Sequence, residues 1–345
     1  MFSMMVRSIP RVFVVGPTSM SLTRRDTDSL KGFAMRHDAK LARTVAPDQY
    51  AELRDRMPTI ASRAELDDLL ADDVPYGDLT TDALGIGAVP GTMAFTARDR
   101  MVLALAEDAA AIIELAGGRV DLHAASGTAL EPGAPILTAH GPASALLRGW
   151  KVAQTLIEVW SGVATNARAI VDAATAVAPA VTIACTRKNV PGTKRFAVAA
   201  VKAGGAVMHR LGLSETVLVF PEHRAFLGGK LLWESVERLR RAAPEKKLVI
   251  EVNSIETAIV AASAGFDVIQ AEKFSPAEID ALVARMALMA SARSGPPLVI
   301  AAGGIHAGNV AAYAAAGASI VVTSSPYLAA PRDVQVRIGP ASGHH

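Results

Sequence analysis

The chain has 345 residues, 51% hydrophobic and 20% charged, a composition that supports two packed domains and excludes a wholly disordered chain. Its formal charge of +2 is uneven: residues 1–63 hold 11 Lys/Arg against 6 Asp/Glu, so the remainder carries −3, which argues against a broad nucleic-acid-binding face. A lone cysteine, Cys185, excludes an internal disulfide and a multi-cysteine zinc site, and no apolar run approaches the ~18–20 residues of a membrane span.

Residues 1–58 are basic, weakly periodic and broken by Pro10, Pro17, Pro47 and Pro58, the pattern of a poorly ordered extension. Its apolar patch is interrupted by Pro10 and Arg11 and no cleavage site follows, so a cytoplasmic location is expected. Met57 makes a natural start for the folded unit, and the first 56 residues are expected to be dispensable. A clear pattern begins at Ser62: Ser62 and Glu65 have capping-box spacing, Leu66, Leu69 and Leu70 share one face, and Pro75 with Gly77 ends the helix.

From Gly91 to Gly141 the strand-like pieces TMAFTA, MVLAL, RVDLHA and PILTAH alternate with turns around one helical run, EDAAAIIELAGG. This predicts a small α+β unit, an N-terminal domain over residues 59–154. A long helical run follows from about Ala143 to Ala178, expected to loosen near Ser161 and Gly162.

After it come six apolar, strand-like runs, VTIAC, VLVF, LVIEV, DVIQAE, PLVIAA and SIVVTSS, mostly separated by helix-like stretches. The clearest helix is SPAEIDALVARMALMA, with Ser275 as N-cap, Pro276 at the first helical position and Glu278 closing a capping box. Regular alternation with continuously apolar strands predicts a parallel sheet covered by helices; over residues 155–328 the six strands fit an incomplete α/β barrel better than a flat doubly wound sheet. Residues 329–345 are expected either to pack back on the N-terminal domain or to be disordered. Cys185, at the end of an apolar run, is expected to be a buried structural thiol.

In parallel α/β sheets, functional groups gather at the carboxyl ends of the strands. Those ends carry Thr186, Arg187 and Lys188, then His209 and Arg210, Glu251 and Asn253, Glu272 and Lys273, Gly303 and Gly304, and finally Ser324 and Ser325. Taken singly, each cation fits a solvated surface charge and each acid a structural partner. Their common edge favours a site: cations on one side, two carboxylates opposite, and glycine turns ahead of a helix start as a phosphate cradle. Carboxylates facing a polyanion suit Mg²⁺, so a metal-bound phosphorylated sugar is the expected ligand.

The segments ADDVPYGDLTT, SGVAT, TRK with a following PG, HRLGLS and GGI occur in the order seen in quinolinate phosphoribosyltransferases, the nicotinate-nucleotide pyrophosphorylases. The resemblance runs from about Ala64 to the last strand. ACTRK, PGTKRFAV and LLRGWKVAQTLIE resemble more closely the ModD subgroup, named for its association with molybdenum-transport operons. The resemblance implies an N-terminal α/β sandwich plus an incomplete barrel, assembled as a homodimer in which one N-terminal domain closes the other subunit's barrel mouth. It implies that Arg187, His209 and Arg210 hold pyridine carboxylates, with Thr186 and Lys188 beside them. Glu251 and Glu272 would face the ribose hydroxyls and Mg²⁺ of phosphoribosyl pyrophosphate, and Gly303, Gly304 and Ser324 the 5′-phosphate. Lys188, Glu251 and Glu272 are the expected catalytic residues.

The departures are specific. Lys151, in WKV, stands where the family delivers an arginine across the dimer, keeping the charge but losing the bidentate fork. Phe220, in LVFPEH, replaces the lysine of LIKDNH; Ala301 and Ala302, in IAAGG, replace the serines of ESSGG; Glu272, in AEKF, replaces the aspartate of LDNF. The expected reaction is transfer of phosphoribosyl to a pyridine carboxylate such as nicotinate or quinolinate, with the dicarboxylate disfavoured by Phe220. A catalytically silent protein that binds molybdate or a phosphosugar is the alternative.

Overall fold

Residues 59–228, 231–289 and 295–341 are described by a computed structural model; the expectations for residues 1–58, dispensability included, lie outside them. The first helix, α1 (Arg63–Asp73), starts as its spacing predicts: the Ser62 hydroxyl accepts from the Glu65 N–H while the Glu65 carboxylate accepts from the Ser62 N–H, and Leu66 and Leu70 are buried. A shorter helix, α2 (Leu79–Leu84), follows, capped by Asp78 and closed at Gly85 with φ +62°.

A four-stranded antiparallel sheet forms the first domain, in the order β13-β1-β5-β3: β1 (Pro90–Ala97), β3 (Arg119–Leu122), β5 (Pro135–Pro142) and β13 (Val334–Pro340). Alternation along β1 sends Met93, Phe95 and Ala97 into the core, where they are at most 1% exposed. Helix α3 (Ala106–Leu115) and the two-residue strands β2 (Met101–Val102) and β4 (Ala129–Leu130) complete the layer. The last strand, β13, comes from the far end of the chain and runs antiparallel to β1, Phe95 opposite Val336.

Helix α4 (Ala143–Thr175) runs 33 residues without interruption through the domain boundary expected near residue 154. The predicted loosening at Ser161 and Gly162 is absent. Small residues stand there for packing: Ser161 Oγ accepts from the Ala104 N–H at 3.0 Å, and a Cβ on Gly162 would collide with the Ala330 carbonyl.

The second domain is a parallel sheet of seven strands in the order β7-β6-β12-β11-β10-β9-β8. In chain order it comprises β6 (Thr182–Cys185), α5 (Lys194–Ala203), β7 (Val207–Met208), β8 (Val217–Val219), α6 (Pro221–Ala225), α7 (Leu232–Ala242), β9 (Leu248–Val252), α8 (Ile255–Ala264), β10 (Val268–Glu272), α9 (Pro276–Leu288), β11 (Leu298–Ala302), α10 (Val310–Ala315) and β12 (Ile320–Thr323). β7 and β8 each have one neighbour, so the barrel is open between them. The sequence predicts six strands; the seventh is Val207–Met208, two residues paired with Ala184 and Cys185 and too short to show a period. One face of the sheet joins the helices in the main core. The other carries a separate apolar plug of Ala184, Val268, Ile300, Ala302 and Val322, which fills the barrel interior. Among the described residues, no helix is long and apolar enough to cross a membrane.

Candidate active site

The period-2 alternation that puts Val268 in the interior plug also turns Gln270 and Glu272 inward, and puts Glu251 beside Gln270 on β9. Above the plug, at the carboxyl ends of the strands, lies a cavity of about 860 Å³. Thr186, Arg187, Lys188, His209, Arg210, Phe220, Glu251, Glu272, Gly303, Gly304 and Ser324 all line it. Two predicted groups stand elsewhere. Lys151 is exposed on α4, bonded to Gln154 Oε1 at 3.0 Å and 4.3 Å above the Trp150 ring, and Asn253 is exposed outside the cavity. Of the two alanines in IAAGG, Ala302 faces the cavity and Ala301 packs in the main core, so only position 302 bears on a ligand.

The cationic wall is built by strand pairing. The Thr186 N–H donates to Thr323 O at 2.9 Å and the His209 N–H to Cys185 O at 2.9 Å, prolonging the β12–β6–β7 ladder and setting Arg187 beside Arg210. Arg210 is 8% exposed, yet makes no ion pair among the described residues. Its guanidinium stands 5.2 Å from the Phe220 ring centroid, and Phe220 stacks on His223. Burial lowers the pKa of Arg210, and Arg187 lowers it further. Burial, then Arg210, then Arg187 hold His209 below the ordinary imidazole range. An anion bound beside His209 and Arg210 would favour the charge that burial and the neighbouring cations discourage on both.

The opposite wall is acidic. Burial pushes the Glu251 carboxyl up, a hydrogen bond from Gln270 opposes it, Glu272 and Glu222 add repulsion, and Lys188 pulls it down. Gln270, 4% exposed, donates from Nε2 to Glu251 Oε2 at 2.7 Å, and its buried Oε1 has no partner among the described residues. Glu251, Glu272 and Glu222 share this cavity, while no trio of His, Cys, Asp or Glu among the described residues could hold a metal unaided. Hard oxygens too few for a closed cage fit Mg²⁺, which takes one or two carboxylates and completes its shell with substrate oxygens and water.

Gly303 and Gly304 form the third wall, with φ +93° and +70°. A Cβ on Gly303 would sit 2.9 Å from Glu272 Oε1 and 2.8 Å from Lys273 Cγ, so only glycine lets those side chains cross the turn. Thr323 Oγ1 ties the turn to β12 by donating to Ile305 O at 2.6 Å. The cradle expected ahead of a helix start is not at one. His306–Asn309 intervenes, folded by Asn309 Oδ1 accepting from the His306 N–H, and α10 has six residues, so the helix dipole does not reach the turn. Gln270, Lys273 and His306, to which the sequence motifs give no role, also line the cavity. For Gln270 the signal was present, as the one polar residue inside the inward-facing period of DVIQAE.

A family model described as "Quinolinate phosphoribosyl transferase, C-terminal domain" matches residues 163–337, and the corresponding N-terminal domain model matches residues 78–161. Rhodobacter capsulatus ModD, provisionally named a pyrophosphorylase, is 49% identical over 246 residues, covering 70% of this chain and 92% of its own. The nicotinate-nucleotide pyrophosphorylase (carboxylating) of Mycobacterium leprae is 30% identical over 262 residues, covering 74% of this chain and 89% of its own. Among solved structures, the nicotinate-nucleotide pyrophosphorylase from Francisella tularensis superposes with a TM-score of 0.73 at 20% identity, covering 82% of this chain and 100% of its own.

Proposed function

Since the chain belongs to the quinolinate phosphoribosyl transferase family, we propose that it transfers phosphoribosyl from phosphoribosyl pyrophosphate to a pyridine monocarboxylate such as nicotinate, in preference to the dicarboxylate quinolinate. The observation that carries this reading is the pairing of a buried Arg210, without an ion pair among the described residues, with an inward Glu251 across one cavity. The cations suit a carboxylate and pyrophosphate; the acids suit ribose hydroxyls.

In the proposed reaction the ring nitrogen attacks ribose C1 as the bond from C1 to the pyrophosphate oxygen breaks, with no protein nucleophile. Arg187, His209 and Arg210 hold the acceptor's carboxylate, and Lys188 lies beside the departing pyrophosphate. Glu251 and Glu272 fix the ribose and favour the positive charge that develops at C1. Glu251 and Glu272 would also hold Mg²⁺, which when bound supplies charge neutralisation to the pyrophosphate. Phe220, where a lysine would otherwise answer a second carboxylate, supports the monocarboxylate: a desolvated carboxylate lacking its cation costs on the order of 3–5 kcal/mol, about two to four decades in affinity.

The open barrel edge, with Leu213 75% and Phe226 91% exposed, supports assembly as a homodimer in which the partner subunit's Lys151 reaches this cavity. The test is product formation from phosphoribosyl pyrophosphate and Mg²⁺ with nicotinate and quinolinate in parallel; a clear preference for quinolinate overturns the substrate assignment. Phe220 and Ala302 also favour a second reading, a silent oxyanion receptor serving molybdenum transport. Calorimetry separates the two, because the receptor binds molybdate and shows no Mg²⁺-dependent binding of phosphoribosyl pyrophosphate.

A further inference from the structure

Lys273 leaves β10 with φ +61°, a left-handed conformation that long side chains rarely adopt. Among the described residues Leu105 is the other non-glycine with positive φ, and it is buried in the core, whereas Lys273 is exposed on the cavity wall. The fold itself does not demand a lysine there. Lys273 makes no ion pair among the described residues, and the bond from its N–H to Ala302 O, at 2.7 Å, is open to any residue except proline. The related motif LDNF carries asparagine at this turn, a residue that tolerates left-handed backbone.

What lysine adds is a positive charge beside the glycine turn. Its stem lies over Gly303, and the same turn carries Ala302, whose methyl offers a ligand no hydroxyl. Strain retained at a cavity wall, where a relaxed alternative exists, points to a role for the side chain.

We propose that Lys273 is a phosphate-binding residue of this cavity, its ammonium supplying at the Gly303–Gly304 turn the donor that Ala302 lacks, for a phosphate monoester. The identity of the ligand as a phosphoribosyl group rests on the function proposed above; the contact between ammonium and phosphate does not.

The experiment is calorimetric titration of the full chain with inorganic phosphate and with ribose 5-phosphate at low salt, for wild type, K273R, K273Q and K273N. K273R should bind within about twofold of wild type. K273Q and K273N should bind about fivefold more weakly and with a shallower salt dependence. Thermal melting reads the strain separately: K273N should melt about 2–4 °C higher, K273Q at the wild-type temperature. A lysine kept for structure alone would move melting and leave phosphate affinity untouched. Equal phosphate affinity in wild type and K273Q overturns the proposal, as does undetectable phosphate binding by wild type. If phosphate binds through Lys273 but phosphoribosyl pyrophosphate shows no Mg²⁺-dependent binding, the phosphoribosyl reading fails and the phosphate site stands.

Discussion

Gln270 Nε2 donates to Glu251 Oε2 across 2.7 Å between adjacent strands, over an apolar plug that gives neither side chain an alternative partner from below. The bond uses Oε2, leaves Oε1 without a hydrogen bond among the described residues, and opposes the effect of burial on that carboxyl. Replacing Gln270 by Met keeps the volume and removes the donor. Hydrogen bonds to charged groups contribute about 1.5–3 kcal/mol, so Q270M should lower kcat/KM by about 10- to 100-fold. Because the substitution also removes an unpartnered buried oxygen, the melting temperature should stay within a few degrees. Parallel steady-state kinetics and melting curves check both; unchanged kcat/KM would remove Gln270 from the working site.

Phe220 sits under the Arg210 guanidinium, where a lysine would add a second cation. F220K should raise the ratio of quinolinate to nicotinate turnover by on the order of 100-fold. The measurement is that ratio under matched phosphoribosyl pyrophosphate and Mg²⁺. A ratio unchanged by F220K would mean that position 220 does not read the second carboxylate.

His209 gives a pH signature whose sign is fixed by its environment. Burial and two arginines hold its folded pKa below the ordinary value of ~6.5. As pH falls through that value the unfolded chain takes up a proton that the folded chain resists, so stability declines with acidification. Urea unfolding at pH 7.5 and 5.5 should show a smaller loss in H209N than in wild type. An anion bound between His209 and Arg210 should raise the imidazole pKa, visible by proton NMR on adding nicotinate.

Cys185 is fully buried at the end of β6, and burial pushes its thiol up to about 12. The native protein should therefore resist thiol-specific alkylation at pH 8 and react only on unfolding. Mass spectrometry after a brief iodoacetamide pulse, with and without urea, distinguishes the outcomes. Rapid native labelling would contradict this burial.

Where the sequence was legible, its signals were local and strong. Ser62 with Glu65 and Ser275 with Glu278 mark helix starts because capping is decided within four residues, and apolar runs mark buried parallel strands. The site residues could be drawn to one edge because strand ends share an edge by topology. Val207–Met208 is not legible because two residues have no period, and Gly162 reads as a loosened point of the helix because its reason, the Ala330 carbonyl, lies far along the chain. Lys273 was visible as a strand-end residue, but its backbone strain was not, since φ depends on the crossing over Gly303.

β13 hydrogen-bonds to β1, so the first sheet borrows its outermost member from Val334–Pro340, which follows every other described element in the chain. On the ribosome β1 must therefore wait, with one row of amides and carbonyls unpaired, until Val334–Pro340 has emerged. The amino-terminal layer is then among the last parts of the molecule to close, and a nascent or truncated chain exposes a template for intermolecular pairing. A shortened version ending before Val334 would be expected to aggregate through that edge even with every cavity residue present.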